Sequence, residues 1–284
     1  MNAPEKVVFL PDMQAQADRR ELPIDAVGVA GVRYPMTIRD GHRLQATVAT
    51  LSMTVALPAT AKGTHMSRFI ELLEARSEAL DQAGFRQLLF DMLARLDARS
   101  GTIEMRFAYF ARKAAPVSGV HSQLDYEVCW RASASETEPC EFSMRVRVPA
   151  TSLCPCSKEI SAYGAHNQRS HISIDAVLAA EMPIGELIGI AERSASCEVY
   201  GLLKRQDEKY VTERAYENPK FVEDLVRDVA LALNAEPRVG AYAVEAENFE
   251  SIHNHSAIAR IARKAPALRR QGRRLQLLAA EAGQ

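Results

Sequence analysis

The chain has 284 residues, 47% of them hydrophobic and 25% charged, which is typical of a globular protein with a sizeable core. Its formal net charge of −1 provides no overall positive field, so the composition argues against nucleic acid as a partner. No stretch approaches the roughly 20 apolar residues of a membrane span, and the first residues lack the apolar core of a secretory signal. We therefore expect a cytoplasmic protein without a membrane partner, with its five cysteines mostly reduced.

The first half of the chain changes its hydrophobic periodicity twice. Residues 43–57 alternate as in a β-strand, and we expect a bulge near Ala49. Helical spacing follows in residues 69–73, with Ser67 as the expected N-cap, and again in residues 85–96. Two further alternating stretches, at 103–109 and 124–130, predict strands.

The second half repeats this order. Alternating residues predict strands at 142–148 and 170–179, and a helix is expected near 184–195. A stronger helical pattern begins at Asn218, where Pro219 suits the first helical position, and residues 238–249 return to a strand.

This duplication predicts an α+β fold, in which antiparallel strands carry paired helices on one face, and not a doubly wound parallel sheet. We expect a flexible lead-in at 1–25, a bimodular domain at 26–259 and a basic tail at 260–284. The two halves of the domain are expected at about 26–134 and 140–259.

Soft and borderline metal ligands concentrate in a few segments. Residues 152–171 read SLCPCSKEISAYGAHNQRSH, and His253 lies near His255 in ENFESIHNHSA. Thiolate, imidazole and carboxylate groups together suit Zn²⁺ or another borderline divalent ion. The alternative is that these residues are buried thiols and hydrogen-bonded histidines, which is the commoner role of such side chains.

Other charged segments have structural interpretations as well. The glutamates of DEKYVTERAYENPKFVED would suit a charged loop followed by the first turn of a helix. His65, between Lys62 and Arg68, would suit an anion at a helix N-terminus. The sequence contains no Walker-type phosphate loop, dinucleotide fingerprint or HExxH motif, which weighs against those enzyme classes.

Four stretches together resemble the prokaryotic GTP cyclohydrolase IB family. They are GTHMSRF, SLCPCSKEISAYGAHNQRSH, EKYVTERAYENPKFVED and ENFESIHNHSA, and the resemblance extends over about residues 8–260. It implies a tunnelling fold (T-fold), with subunits that join their sheets into barrels, usually as a homotetramer with active sites between subunits. The implied reaction converts GTP to 7,8-dihydroneopterin triphosphate and formate.

The resemblance also implies roles for individual residues. The implied metal ligands are Cys154, His166, Glu208 and His253, and the carboxylate that binds guanine is Glu223. Cys156, His65 and His255 lie in family motifs, and the two histidines are candidates for moving protons. The candidate cations for the triphosphate are Lys62, Arg68, Lys158 and Arg169.

The implied chemistry requires water to attack C8 of guanine. A divalent ion (Zn²⁺, Mn²⁺ or Fe²⁺) lowers the pKa of a bound water from about 15.7 toward 7. Four protein ligands would close a tetrahedral site, so we expect one, Glu208 or Cys154, to be labile. Three alternatives remain open: Cys154 as a nucleophile, a 7-cyano-7-deazaguanine reductase, and a non-catalytic protein with a structural zinc.

Overall fold

The computed structural model describes residue 14 and residues 16–264. Its strands are β1 (Ile24–Asp40), β2 (Arg43–Leu57), β3 (Ser100–Ala114), β4 (His121–Ser135), β5 (Glu141–Leu153), β6 (Asn167–Leu178), β7 (Cys197–Glu198), β8 (Val239–Asn248) and β9 (Ala257–Arg263). Its helices are α1 (Ser67–Glu74), α2 (Gln82–Leu96), α3 (Pro155–Ile160), α4 (Ile184–Ser194), α5 (Arg205–Glu217) and α6 (Val222–Ala235).

These strands form one antiparallel sheet in the order β1-β2-β3-β4-β5-β6-β8-β9, with β7 paired to β5. The two halves meet where β4 pairs with β5, from Glu127 opposite Arg147 to Ser133 opposite Glu141. The antiparallel α+β architecture agrees with the prediction from periodicity.

The core lies between one face of the sheet and the helices, because alternate strand residues point to that face. Trp130 of β4 is at its centre and packs edge to face against Phe85, Phe107 and Phe142, at centroid distances of 5.4–5.9 Å. Such edge-to-face pairs stabilise a core beyond the area they bury. The opposite face carries polar and charged side chains, including Arg106, Arg145 and Glu245.

Three strands escaped the sequence analysis: the two-residue strand β7, and β1 and β9, which both lie at the edges of the sheet. β1 buries few of its side chains, so its pattern does not alternate clearly, and its edge position accommodates Pro35. It begins at Ile24, inside the lead-in predicted at 1–25, most of which lies outside the described residues. β9 crosses the predicted start of the basic tail at residue 260, and residues 265–284 lie outside the described part.

The bulge predicted in β2 near Ala49 is wrong. Ala49 pairs regularly with Tyr34, and the two register shifts lie in β1, between Ile24 and Val27 and between Val29 and Val32. Gly31 accounts for the second shift, because its φ of 71° is a left-handed conformation that glycine adopts without steric cost.

Two helix boundaries also differ from the prediction. Asn218 ends α5 as its C-cap, and the next helix begins at Val222, where the Asp224 carboxylate accepts a hydrogen bond from the N–H of Phe221. α5 itself was missed because it buries only two side chains and so has no apolar stripe. The N-cap of α1 is Met66, without a side-chain hydrogen bond, so the capping role predicted for Ser67 is wrong.

Candidate functional site

The candidate site lies at the end of the sheet where β5 ends at Leu153, β6 begins at Asn167 and β8 ends at Asn248. We call this the upper end. Leu153 is opposite Asn167 in the strand register, and Asn248 is opposite Ser170. The segments that leave these strands therefore meet above the second half of the sheet.

Cys154 follows β5 and is the N-cap of α3. Its backbone is extended, as expected before Pro155, and the proline occupies the first turn of the helix. The Sγ atom accepts a hydrogen bond from the N–H of Ser157 at 3.5 Å. The Cys-Pro-Cys sequence thus places the half-buried thiol of Cys154 at a helix N-terminus. Cys156, two residues further along the chain, is exposed.

His166 is adjacent to Cys154. The N–H of Cys154 donates to the carbonyl of His166 at 3.1 Å, and the N–H of His166 donates to Oγ of Ser157 at 3.2 Å. On the ring, Nδ1 lies 3.1 Å from Oε1 of Gln168 and 3.2 Å from Oγ of Ser251. Hydrogen bonds therefore hold the backbones of Cys154 and His166 next to each other.

The loop after β8 brings the third predicted ligand to the same end. Ser251 contacts the His166 ring, and His253 is two residues further along the chain. His253 stacks on His255, with ring centroids 5.2 Å apart and an interplanar angle of 17°. The loop is anchored where the N–H of Phe249 donates to the carbonyl of Arg169 at 2.9 Å.

α6 starts next to Cys154. The N–H of Lys220 donates to the carbonyl of Leu153 at 3.0 Å, immediately before the cysteine. Glu223 is in the first turn of α6 and is exposed. The predicted guanine-binding carboxylate therefore lies beside the predicted metal ligands.

Glu208 also lies at the upper end but further from Cys154. Lys158 of α3 donates to the carbonyl of Tyr216, near the end of α5, at 2.5 Å. Glu208 is in the first turn of α5, about 12 Å along the helix axis from Tyr216 at 1.5 Å per residue. Within one chain, the structure does not bring Glu208 together with Cys154 and His166.

The first turn of α5 is anchored by Asp207, which is fully buried. Its carboxylate accepts hydrogen bonds from the N–H groups of Val117, Ser118 and Lys204 and from the Ser118 hydroxyl. Burial alone would raise the pKa of Asp207, but these hydrogen bonds stabilise the carboxylate and lower its pKa below the ordinary value. Asp207 therefore fixes the start of α5 to the β3–β4 turn, and this contact determines the position of the adjacent Glu208.

Three predicted residues lie at the other end of the sheet. His65, Lys62 and Arg68 follow β2, which ends level with the start of β5. The 13 residues of β5 separate the two ends by on the order of 40 Å. His65, Arg68 and Gln16 line a separate pocket of about 350 Å³, and Lys62 donates a hydrogen bond to Oε1 of Gln16 at 2.8 Å.

The other two candidate cations, Arg169 and Lys158, are both near the upper end but have different surroundings. Arg169 is exposed on β6, one position from the buried Gln168 and so on the opposite face of the sheet. Lys158 is engaged by the carbonyl of Tyr216 and lies over the Tyr216 ring at 4.4 Å.

In the described part of a single chain, no three His, Cys, Asp or Glu side chains are close enough together to hold a metal ion. The donor types carried by the segments at the upper end nevertheless suit a borderline divalent ion: a thiol, an imidazole and a second imidazole on the adjoining loop. The hydrogen bond at Nδ1 of His166 is the type of contact that orients a metal-ligating histidine.

Sequence analysis did not identify Gln168, Ser251 or Asp207. Gln168 lies inside the HNQRSH run, and Asp207 directly precedes a predicted ligand, so proximity to the motifs was the available signal. None of the helices in residues 16–264 is both long and apolar enough to cross a bilayer.

The fold is shared with a solved enzyme of the T-fold class. Uricase from Arthrobacter globiformis superposes with a TM-score of 0.51 over 86% of this chain and 94% of its own, at 9% identity. A likeness at this identity concerns the fold alone, and it confirms the predicted fold class.

Sequence comparison is more specific. GTP cyclohydrolase FolE2 1 of Dechloromonas aromatica (strain RCB) is 60% identical over 262 residues, covering 92% of this chain and 98% of that protein. GTP cyclohydrolase FolE2 of Paraburkholderia xenovorans (strain LB400) is 58% identical over 264 residues, covering 93% and 98%. The family model described as type I GTP cyclohydrolase folE2 matches residues 10–259. Because both the family model and these relatives match almost the whole chain, including the four motifs, the protein belongs to the type I GTP cyclohydrolase FolE2 family.

Proposed function

We propose that this protein hydrolyses GTP to 7,8-dihydroneopterin triphosphate and formate, the first step of pterin synthesis. The observation that carries the proposal is the meeting of Cys154, His166 and the His253 loop at the upper end, in a chain of this family. We place the reaction in the cytoplasm, where GTP is available.

Four residues are proposed to hold one divalent ion per site: Cys154, His166, His253 and Glu208. Zn²⁺, Mn²⁺ and Fe²⁺ all accept this set of donors, and such an ion supplies Lewis-acid activation of the water that attacks guanine C8. Cys154 and His166 are held together by their backbones, whereas Glu208 lies apart along α5. This difference supports Glu208, and not Cys154, as the labile ligand.

Glu223 is proposed to bind the guanine base. An ionised carboxylate offers two acceptors that match the N1–H and the exocyclic amine of guanine. Its position in the first turn of α6, close in sequence to the Leu153–Lys220 contact, supports this role because a base bound there would lie near Cys154.

Proton transfers are needed when the imidazole ring opens and when formate leaves. His255 is the candidate within the same chain, because it stacks on His253. His65 is the other candidate.

The triphosphate is proposed to bind Lys62, Arg68 and Arg169. The first two lie at the opposite end of their own chain, so only a neighbouring subunit could bring them to the upper end. Lys158 is the weakest candidate, because its ammonium group already contacts Tyr216.

We therefore propose a homo-oligomer, a tetramer by family resemblance, with each site completed by a second subunit. The sheet supports this assembly: among the described strands, β1 and β9 each pair on one side only. Long open edges favour pairing with another chain, and such pairing would close the sheets into a barrel.

The direct test is anaerobic purification, removal of bound metal, and addition of Zn²⁺, Mn²⁺ or Fe²⁺ singly. Pterin formation from GTP is followed by fluorescence, and formate is measured in parallel. We expect metal-dependent formation of both products. Release of neither product with any of the three metals would refute the proposed reaction.

A further inference from the structure

A buried polar cluster lies directly beneath the candidate site. On the core face of β5, β6 and β8, apolar residues give way to polar ones at the upper end of all three strands. The last apolar core-face residues below the cluster are Ala150, Ile172 and Ala246, and those that form it are Ser152, Gln168, Ser170 and Asn248. Burying a polar side chain is unfavourable unless it is hydrogen-bonded, so the coincidence on three strands calls for a physical role.

Three members of the cluster bond to one another. Oγ of Ser170 donates to Oδ1 of Asn248 at 2.7 Å, and the hydroxyls of Ser152 and Ser170 are also 2.7 Å apart. All three side chains are at most 2% exposed. The network therefore links the ends of the strands that lead to Cys154, His166 and His253.

Gln168 connects this buried polar cluster to the candidate site. It is 7% exposed and lies opposite Ser152 in the strand register. Its Oε1 lies 3.1 Å from Nδ1 of His166. A carboxamide oxygen only accepts hydrogen bonds, so Nδ1 carries the proton and Nε2 keeps the lone pair.

Ser251 is the other neighbour of Nδ1, at 3.2 Å, but it is exposed on the loop after β8. Ser251 therefore provides a matched control, because it contacts the same ring atom but does not belong to the buried polar cluster.

We propose that Gln168 is a positioning residue, which holds His166 in the tautomer and orientation that present Nε2 to the metal. The Ser152–Ser170–Asn248 network supports it by fixing the strand ends. This inference rests on the proposed role of His166 as a metal ligand.

The test measures metal affinity in the full-length metal-free protein by chelator competition with Zn²⁺. Gln168→Met keeps the length of the side chain but removes the acceptor, so we expect Zn²⁺ to bind about 10- to 100-fold more weakly. Gln168→Glu keeps an acceptor and cannot donate, and Ser251→Ala leaves Gln168 intact. Both of these variants should bind Zn²⁺ within about threefold of the wild type.

A second readout separates positioning from general stability. With Co²⁺ in place of Zn²⁺, the visible absorption spectrum should change in Gln168→Met and stay unchanged in Ser251→Ala. Wild-type affinity and spectrum in Gln168→Met would overturn the inference. So would an equal loss in Gln168→Glu, because it would mean that residue 168 donates to Nδ1.

Two further outcomes are distinguishable. If the wild type neither binds these metals nor converts GTP, the proposed function fails and the inference fails with it. If Gln168→Met does not give a cooperative thermal transition without metal, Gln168→Glu decides alone: retained affinity supports the inference and lost affinity overturns it.

Discussion

At the scale of single residues, the candidate site depends on backbone contacts that bring together the segments carrying the reactive side chains. Cys154 and His166 share a direct backbone hydrogen bond, and Glu223 lies in the first turn of α6, which follows the contact between Lys220 and Leu153. Each of these positions therefore has a role that a substitution can isolate.

Cys154→Ala should abolish turnover and strongly weaken metal binding, because it removes the proposed thiol ligand. Affinity for Zn²⁺ and pterin formation are measured on the same preparation. Cys140→Ser is the control, since Cys140 lies near the other end of β5 and should leave both unchanged. Lost turnover with full metal affinity would exclude the ligand role and favour a nucleophilic Cys154.

Glu223→Gln should impair the use of GTP much more than metal binding. The amide replaces one acceptor by a donor, so a charge-assisted hydrogen bond worth about 1.5–3 kcal/mol is lost, and kcat/KM should fall roughly 10- to 150-fold. Glu213→Gln on α5 is a control, because Glu213 is paired with Lys209 at the surface. Unchanged kinetics in Glu223→Gln would remove the assignment.

At the scale of elements, the sheet supplies two faces with different tasks. The helix-covered face builds the core, and the open face collects charged side chains around a concavity of about 600 Å³. On that face, Nη2 of Arg147 on β5 donates to Nδ1 of His171 on β6 at 2.7 Å. Burial first, and then the positive charges of Arg147 and Arg169, lower the pKa of His171 below its usual 6.5, while Glu247 and Glu127 oppose this shift.

This arrangement predicts a contribution to stability that depends on pH. The unfolded chain takes up the His171 proton at a higher pH than the folded one, so this contribution is present above about pH 6.5 and is lost as the pH falls. Between pH 7 and 5.5, the wild type should therefore lose more thermal stability than His171→Gln. Melting temperatures across this range provide the measurement, and parallel curves for the two proteins would contradict the prediction.

At the scale of the whole molecule, the fold has a large core that does not involve the candidate metal site. The aromatic cluster around Trp130 lies between the sheet and the helices, away from the upper-end loops. The protein should therefore resemble a metalloenzyme on a stable scaffold, and not a small domain folded by zinc.

Metal removal should accordingly abolish activity while the fold survives. With free metal at about 100 times its Kd, its removal costs only about 2.7 kcal/mol of stability. Circular dichroism and a cooperative melting curve of the chelated protein would show the retained fold. Unfolding on chelation at moderate temperature would instead indicate a structural zinc.

The proposed assembly can be tested by mixing inactive variants. Cys154→Ala and His65→Ala should each lose activity alone. After the two variants are mixed in equal amounts and their subunits exchange, about a quarter of wild-type activity should return. Each site needs an intact Cys154 from one subunit and an intact His65 from its neighbour, and random pairing supplies both in about one site of four. No recovery after verified exchange would show that the two residues do not combine across subunits, and full activity of His65→Ala alone would remove its role.

The sequence by itself determined the parts that depend on local pattern. Buried strands and apolar-faced helices can be recognised from the periodicity of their hydrophobic residues. The predictable elements were therefore β2 to β6, β8, α1, α2, α4 and most of α6. The motif residues likewise indicated the family, because side-chain types at fixed spacing are a property of the chain alone.

Only the tertiary structure decided which of those residues meet. The edge strands β1 and β9 and the charged helix α5 carry no clear periodic signal, because few of their side chains are buried. Sequence spacing could not show that Cys154, His166 and the His253 loop share one end of the sheet while His65 lies at the other. Strand direction and register determine that separation, since each antiparallel crossing sends the chain to the opposite end.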